Sequence, residues 1–441
     1  MQKDLRFCLE IFEANGSLLK SKREVDPCFE IAAVMKEAEK RRKAIHFRRV
    51  KNSRFSVVNN VFGSREMLAL LFETEPKRVV NEWIDRCRSP IEPVMVDTGP
   101  VKQVIKKGDE VNLEDLPIVT HCAKDAGPFI TAGVVIARDP ETGLRNVSIN
   151  RMQLKGKDKL GIRMMPPQHL GLIHEKCEKI GRDLEVAVAI GNHPFETLVA
   201  ATTLEFGFDE FTLSSALRKD PLQLVKCETV DLEVPASAEI ILEGKVLAGV
   251  REAEGPFGDF MQYYVPVMDN HVLKVSAMTH RKDAIYQTIQ ASSLEDTHLL
   301  ALSREAKVYE AVSKAADVQA VCLVPTILGC TISIRKRFEG EPKNVAAAAF
   351  GVYSWLKYCV VVDHDVDVFD INDVWWAMAT RSRPDKALVP IHGALGFPRD
   401  PFGIHQSKLG IDATAPLNQW EEFERKTIPG SEPIRLEDYV Y

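Results

Sequence analysis

The sequence predicts an α/β (α+β) protein whose middle region is almost all β. Three observations carry this. Val- and Ile-rich segments crowd residues 115–310, with turn signals between them. Strand-like and helix-like segments alternate on either side. At about 150 residues per domain, a chain of 441 asks for two or three domains. The division read from these patterns is 1–114, 115–310 and 311–441.

The elements follow in chain order. Residues 30–42 form a charged amphipathic helix, 45–50 a short strand, and 65–72 and 76–88 helices. Ser89-Pro90-Ile91-Glu92-Pro93 and Lys107-Gly108-Asp109-Glu110 break the pattern. Strands are expected at 130–137, 144–153, 184–191, 239–247 and 272–279, the content of a barrel or sandwich. One helix intervenes at 168–180, entered from Pro166-Pro167 and stopped by Gly181. Beyond 311, strands at 320–324, 331–336 and 358–362 alternate with an Ala-rich helix at 344–357 and a helix at 373–380 capped by Asn372. That alternation predicts a parallel sheet covered by helices.

Composition narrows the function classes. The chain is 45% hydrophobic and 27% charged, which suits a globular core. A net charge of -6 without a basic stripe argues against nucleic acid. Apolar stretches such as 358–363 are far shorter than the roughly 20 residues that span a bilayer, so no membrane is expected. The first residues lack the apolar core of a signal peptide. Nine cysteines, an odd number with no CxxC pair, point to a reducing cytoplasm rather than a disulfide framework or structural zinc site.

P-loop, GxGxxG, GxSxG and HExxH signatures are absent. Polar residues concentrate instead in the middle region. In Asn146-Val-Ser-Ile-Asn-Arg151-Met-Gln153, alternation separates 146, 148 and 150 from 147, 149 and 151. An inward Arg151 needs an acidic partner; a surface arginine on an edge strand is the plain alternative. Glu254-Gly-Pro-Phe-Gly-Asp259 places two carboxylates around a Gly- and Pro-bounded turn. With Arg151 between them, one stays ionised and the other is free to act as a general acid; an exposed acidic loop is the alternative. His169, in the first turn of the 168–180 helix, lies where a phosphate is favoured. It could also ligate a hard divalent metal with Glu210 and Asn146, or simply cap the helix. Asp363-His364-Asp365-Val366-Asp367 reads as a solvated strand end rather than a metal cluster, and Met164-Met165 as core packing.

Together these residues resemble the UbiD family of decarboxylases. The matching segments run from Asp125-Ala-Gly-Pro-Phe-Ile-Thr131 through Asn146–Gln153, Gln168-His169, Glu210 with Glu228, and Glu254–Asp259 to Ser407-Lys408-Leu-Gly-Ile-Asp412. They cover about 115–415. The resemblance implies a prenylated FMN in a split β-barrel flanked by N- and C-terminal α/β domains. It implies Mn²⁺ (or Mg²⁺) bridging the cofactor phosphate to Asn146, His169 and Glu210. A K⁺ ion is implied near the carbonyls of 199–202. Thr131, Ser148, Ile149, Arg151, Gln168 and His169 would line the cofactor, with Lys408 near its phosphate. Glu254, Arg151 and Asp259 would form the catalytic network, with Asp259 standing where many members carry Glu.

The implied reaction is reversible, non-oxidative decarboxylation of an aromatic, heteroaromatic or α,β-unsaturated acid, with Arg151 on the carboxylate and Asp259 returning the proton. His298, Arg304 and Ile327 would face the substrate. Arg304, assisted by His298, could hold a second carboxylate, which resembles 2,5-furandicarboxylate decarboxylases making 2-furoate. Hydroxybenzoate-type and anhydromevalonate-phosphate-type acids are the alternatives. An FMN-dependent reductase and a non-catalytic partner subunit are the readings from other classes. A homo-oligomer, dimer or hexamer, and a flavin prenyltransferase as cofactor supplier complete what the resemblance implies.

Overall fold

The β-branched runs of the middle region pair with one another as strands. In the computed structural model, which describes residues 3–164, 166–204, 206–429 and 439, they are β1 (Val104–Lys107), β2 (Phe129–Ile130), β3 (Val134–Arg138), β4 (Arg145–Ile149), β5 (Met152–Gly156), β6 (Lys159–Ile162), β7 (Leu184–Ile190), β8 (Ile240–Glu254) and β9 (Met268–His280). They form one nine-stranded sheet in the order β2-β5-β6-β9-β8-β7-β3-β4, with β1 also paired to β9. Every pairing in it is antiparallel.

Alternate side chains of these strands enter two different cores. Val135, Ala137, Val186 and Val188 pack with Leu170 and Ile173 of α1 (His169–Lys179). Val134, Ile136, Ala187 and Ala189 pack with Phe211 of α2 (Glu210–Arg218). One helix therefore covers each face of the sheet beside β4.

The sheet has two free ends, β2 and β4. The chain crosses between them twice, through Thr131-Ala132-Gly133 and through Asn150-Arg151. Asn150 N–H reaches the Gly133 carbonyl at 3.3 Å across these links. This is the split form of the expected barrel. It also corrects two expectations, because the strands read as 130–137 and 144–153 are each interrupted at the crossover. The run from Phe129 to Ala137 stays largely apolar through the first link, so pattern does not show that break. At the second, the apolar phase slips from Val147 and Ile149 to Met152 and Leu154, a signal that the continuous strand expected at 144–153 overlooks.

A four-stranded sheet joins Leu18–Lys20, Ala44–Phe47, Ser56–Asn59 and Ile285–Gln287 in that order. Its last strand comes from residues far along the chain, paired in parallel with Ser56–Asn59. Glu239, fully buried just before β8, ties this region together. It accepts two hydrogen bonds from the Arg6 guanidinium at 2.8 and 2.9 Å and one from Ile285 N–H at 3.0 Å, with Arg281 3.5 Å away. Removing one partner of a buried ion pair costs about 3–5 kcal/mol. Glu239→Ala should therefore lower the urea midpoint by that equivalent, and an unchanged midpoint would show the network to be idle.

The chain divides into two compact units, Met1–Ala306 with Val324–Ile327, and Lys307–Leu323 with Leu328–Tyr441. The second holds a five-stranded sheet of β10 (Asp317–Cys322), β11 (Gly329–Arg335), β12 (Tyr358–Asp363), β13 (Leu388–Leu395) and β14 (His405–Ala413), ordered β10-β11-β12-β14-β13. Its three central strands are parallel, as expected, but both outer strands run antiparallel, so the sheet is mixed. The Ala-rich helix is Glu341–Val352 rather than 344–357. The helix after β12 is Ile371–Arg381, capped by Asp370 and not Asn372; the Asp370 carboxylate accepts the Asn372 N–H.

The Asp363–Asp367 segment is no solvated strand end. Asp363 is buried, bonded to Arg381 at 2.9 Å and to Ala415 N–H at 2.8 Å. Asp365 holds the same guanidinium. Met164 is in the core as expected; Met165 lies outside the described residues.

Candidate active site

A two-residue link cannot continue a strand ladder, so Arg151 leaves the sheet at its split. Its guanidinium grips Glu254, the last residue of β8, with Nε–Oε1 and Nη2–Oε2 both at 3.0 Å. The Glu254 side chain is wholly buried, and its Oε2 also accepts from Asn270 Nδ2 at 2.8 Å. This is the fork-to-fork geometry that gives an arginine–carboxylate pair direction as well as strength. The Phe257 ring lies 4.6 Å beneath the guanidinium, so one face of the cation is shielded.

The loop after Glu254 is fixed by Gln153 on β5 and by Asp125, ahead of β2. Gln153 accepts from Gly255 N–H at 3.1 Å and donates to the Ala126 carbonyl at 2.7 Å. Asp125 accepts from Gly258 N–H at 2.8 Å. Asp259 follows, half-buried, with one oxygen capping its own turn through Phe260 N–H at 2.9 Å. Asp125, Gln153 and Asn270 carry this scaffolding, yet their roles were not read from the sequence. Asp125 and Gln153 lie within the segments that carry the family resemblance, whereas Asn270, between Asp269 and His271, carries no signal in the sequence.

The residues expected around a metal converge on the edge strand β4. Asn146 and His169 line one shallow recess, together with Arg145, Asp139 and Phe206. Glu210 comes from the helix on the other face. Its Oε2 accepts the Val147 N–H at 2.8 Å, a backbone donor that an edge strand leaves free. Burial pushes the Glu210 carboxyl up to about 8 and lowers the His169 imidazole. Asn146 Nδ2 is buried without a partner among the described residues. An amide oxygen, a neutral imidazole and a carboxyl short of compensating positive charge fit a hard divalent cation. If this seat holds the metal that the resemblance implies, Glu210→Ala should release that metal, and flavin with it, by more than the 10–100-fold loss typical of outer-sphere changes. Retention of both at full stoichiometry, by elemental analysis and absorbance, would remove Glu210 from the site.

The other expected residues are spread more widely. Thr131 Oγ1 meets Thr288 Oγ1 at 3.1 Å and accepts Ile289 N–H. Ser148 donates to Asn150 Oδ1 at 2.9 Å, and Ile149 pairs with Val134. Gln168 is the exposed N-cap of α1 and makes no side-chain capping bond.

His298 and Arg304 share the helix α3 (Leu294–Val312). The Arg304 guanidinium donates to the Leu300 carbonyl. Burial pushes Asp296, at the start of α3, up to about 7; the charge of Asp259 adds to the rise and Arg304 opposes it. Asp259, Asp296 and Arg304 are therefore electrostatic neighbours. Ile327 is buried and belongs to the first unit. Lys408 belongs to the second unit, where its ammonium donates to the Ser354 and Leu356 carbonyls at 2.6 and 2.9 Å.

A buried arginine–carboxylate pair at the split of an antiparallel sheet, in a chain whose edge strand carries a candidate N/O metal seat, is an arrangement suited to a carboxylate-processing enzyme. Domain profiles of one family cover nearly the whole chain. The 3-octaprenyl-4-hydroxybenzoate carboxy-lyase N-terminal domain matches residues 9–87, its Rift-related domain 93–293 and its C-terminal domain 297–413. The anhydromevalonate phosphate decarboxylase of Methanothermobacter thermautotrophicus is 38% identical over 415 residues, 91% of this chain and 95% of that one.

Among solved structures, the UbiD-class enzyme HmfF from Pelotomaculum thermopropionicum in complex with FMN is 43% identical with a TM-score of 0.95, covering 99% of this chain and 100% of the other. An evolved dimeric form of HmfF, in complex with prFMN, has a TM-score of 0.92 at 42% identity and covers 100% of each chain. The apo 3,4-dihydroxybenzoic acid decarboxylase of Klebsiella pneumoniae has a TM-score of 0.91 at 28% identity and covers 98% of each chain. The chain belongs to the UbiD family and is a carboxy-lyase.

Proposed function

We propose that the protein catalyses reversible, non-oxidative decarboxylation of an aromatic, heteroaromatic or α,β-unsaturated acid with prenylated FMN, a divalent metal such as Mn²⁺, and K⁺. The observation that carries this reading is the buried, doubly bonded Arg151–Glu254 pair at the split of the sheet. Its support is the similarity to a UbiD-class enzyme bound to prFMN. When bound, the prenylated flavin supplies an electron sink for the pair of electrons left by CO₂. The protein's own part is to hold the substrate carboxylate against Arg151, exclude water, and return one proton to the carbon that loses CO₂.

The leading substrate is 2,5-furandicarboxylate, giving 2-furoate and CO₂, with Arg304 as the cation for the second carboxylate. A hydroxybenzoate-type acid is the second reading, favoured by the similarity to a dihydroxybenzoic acid decarboxylase. CO₂ release from furan, hydroxybenzoate and acrylic acids should be absent in protein made without prenylated FMN and restored by supplying it with Mn²⁺ and K⁺. Full activity in flavin-free protein would sink the reading. If Arg304 holds a distal carboxylate, Arg304→Ala should raise KM for furandicarboxylate about 10- to 150-fold more than for a monoacid, the worth of one charge-assisted contact. Equal effects on both would make Arg304 structural.

A further inference from the structure

A short chain of hydrogen bonds leads from the buried His121 to the split of the sheet. His121 Nε2 lies 3.0 Å from Thr288 Oγ1, which lies 3.1 Å from Thr131 Oγ1. Thr288 is wholly buried, whereas Thr131 is half-buried and also accepts the Ile289 N–H at 3.0 Å. Ile130 of β2 pairs with Met152 of β5, so the next residues along the two strands, Thr131 and Arg151, stand opposite one another where the ladder ends.

Each hydroxyl has one proton, so the chain has a direction. Burial pushes the His121 imidazole down to about 4, and near neutral pH it carries a single N–H. Its Nδ1 is buried with no partner among the described residues. An orphaned buried N–H is a rarer fault than an unmatched lone pair, which puts the proton on Nε2. Nε2–H then donates to Thr288, and Thr288 donates to Thr131. Thr131 Oγ1 thus accepts from both Thr288 and Ile289, and both its acceptor positions are filled. Its own O–H is left to donate outward, beside Arg151.

We propose that His121 is a positioning residue that, through Thr288, holds the Thr131 hydroxyl as a donor to a carbonyl oxygen or ring nitrogen of the flavin. This rests on the flavin-dependent reading, in which Thr131 lines the cofactor. Arg151 keeps the substrate carboxylate, so the two neighbours at the split serve different groups.

The test uses the full chain loaded with Mn²⁺ and ordinary FMN, read by flavin affinity and absorbance without turnover. One neutral hydrogen bond is worth about 2- to 12-fold. Thr131→Val should weaken FMN by that factor and shift its absorbance. His121→Phe should move both readings the same way, because a Thr288 hydroxyl relieved of its donor can turn and draw the Thr131 proton back. His121→Gln, which keeps an N–H near the same place, should restore them. In the variant carrying both His121→Phe and Thr131→Val the losses should not add. Additive losses overturn the proposal, as does a His121→Phe protein that melts lower yet keeps wild-type affinity and absorbance.

A second measurement needs neither flavin nor variant. Nitrogen spectra of histidine-labelled protein at pH 7 should show His121 protonated on Nε2, and a proton on Nδ1 overturns the proposal. Wild type that binds no FMN would instead refute the flavin reading, and the nitrogen spectrum would still decide which way the chain points.

Discussion

Arg151→Ala should cut kcat/KM for the acid substrate by at least about a thousandfold. Two losses combine. The substrate carboxylate loses a charge-assisted contact, about 1.5–3 kcal/mol. Glu254, fully buried, loses the guanidinium that holds both its oxygens, and an abandoned partner of a buried pair costs about 3–5 kcal/mol. Asn270 still donates to Oε2, but one neutral amide does not replace a guanidinium. Arg151→Lys should rescue little, because an ammonium cannot fork across two oxygens or stack on Phe257 as a plane. Thermal melting and flavin absorbance of the same variants separate misfolding from lost chemistry. A variant that keeps its flavin and stays within tenfold of wild type would show that Arg151 does not hold the reacting carboxylate.

The pairing of Arg151 with Glu254 was expected from the family resemblance; the residues alone said only that an inward arginine needs an acid and that Glu254 and Asp259 flank a turn able to supply one. The helix at Arg65–Phe72 was legible to the residue, because Ser64 caps it and its apolar spacing is regular. The convergence of His169 and Glu210 was not legible from spacing. It depends on two helices on opposite faces of a sheet both bordering its edge strand, which is a property of strand order rather than of sequence distance. Strand order likewise hid the recruitment of Ile285–Gln287 into the N-terminal sheet. The burial of Asp363 was missed because its partner, Arg381, lies eighteen residues away at the end of a helix. Its three-acid pattern looked solvated only while that cation was unplaced.

Asp259→Asn should abolish turnover while leaving substrate binding in place. After CO₂ has left, the reacting carbon needs a proton, and both oxygens of Glu254 are engaged by Arg151. Asp259 is the other carboxyl of the same loop, half-buried and held in a tight turn by Tyr263 and Phe260. An amide keeps that shape and cannot donate an acidic proton, so the loss should be about 10²–10⁴-fold in kcat, the usual contribution of a positioned general acid. Combined with Arg151→Ala the losses should fall well short of additive, because orientation of the carboxylate and delivery of the proton serve one event. The decisive assay is solvent deuterium exchange at the product carbon, which runs the protonation step backwards without requiring CO₂. Exchange in Asp259→Asn at the wild-type rate would show that another group carries the proton. Asp296 is then the group to test, since burial and its neighbour Asp259 push its carboxyl up to about 7, where it still carries a proton near neutral pH.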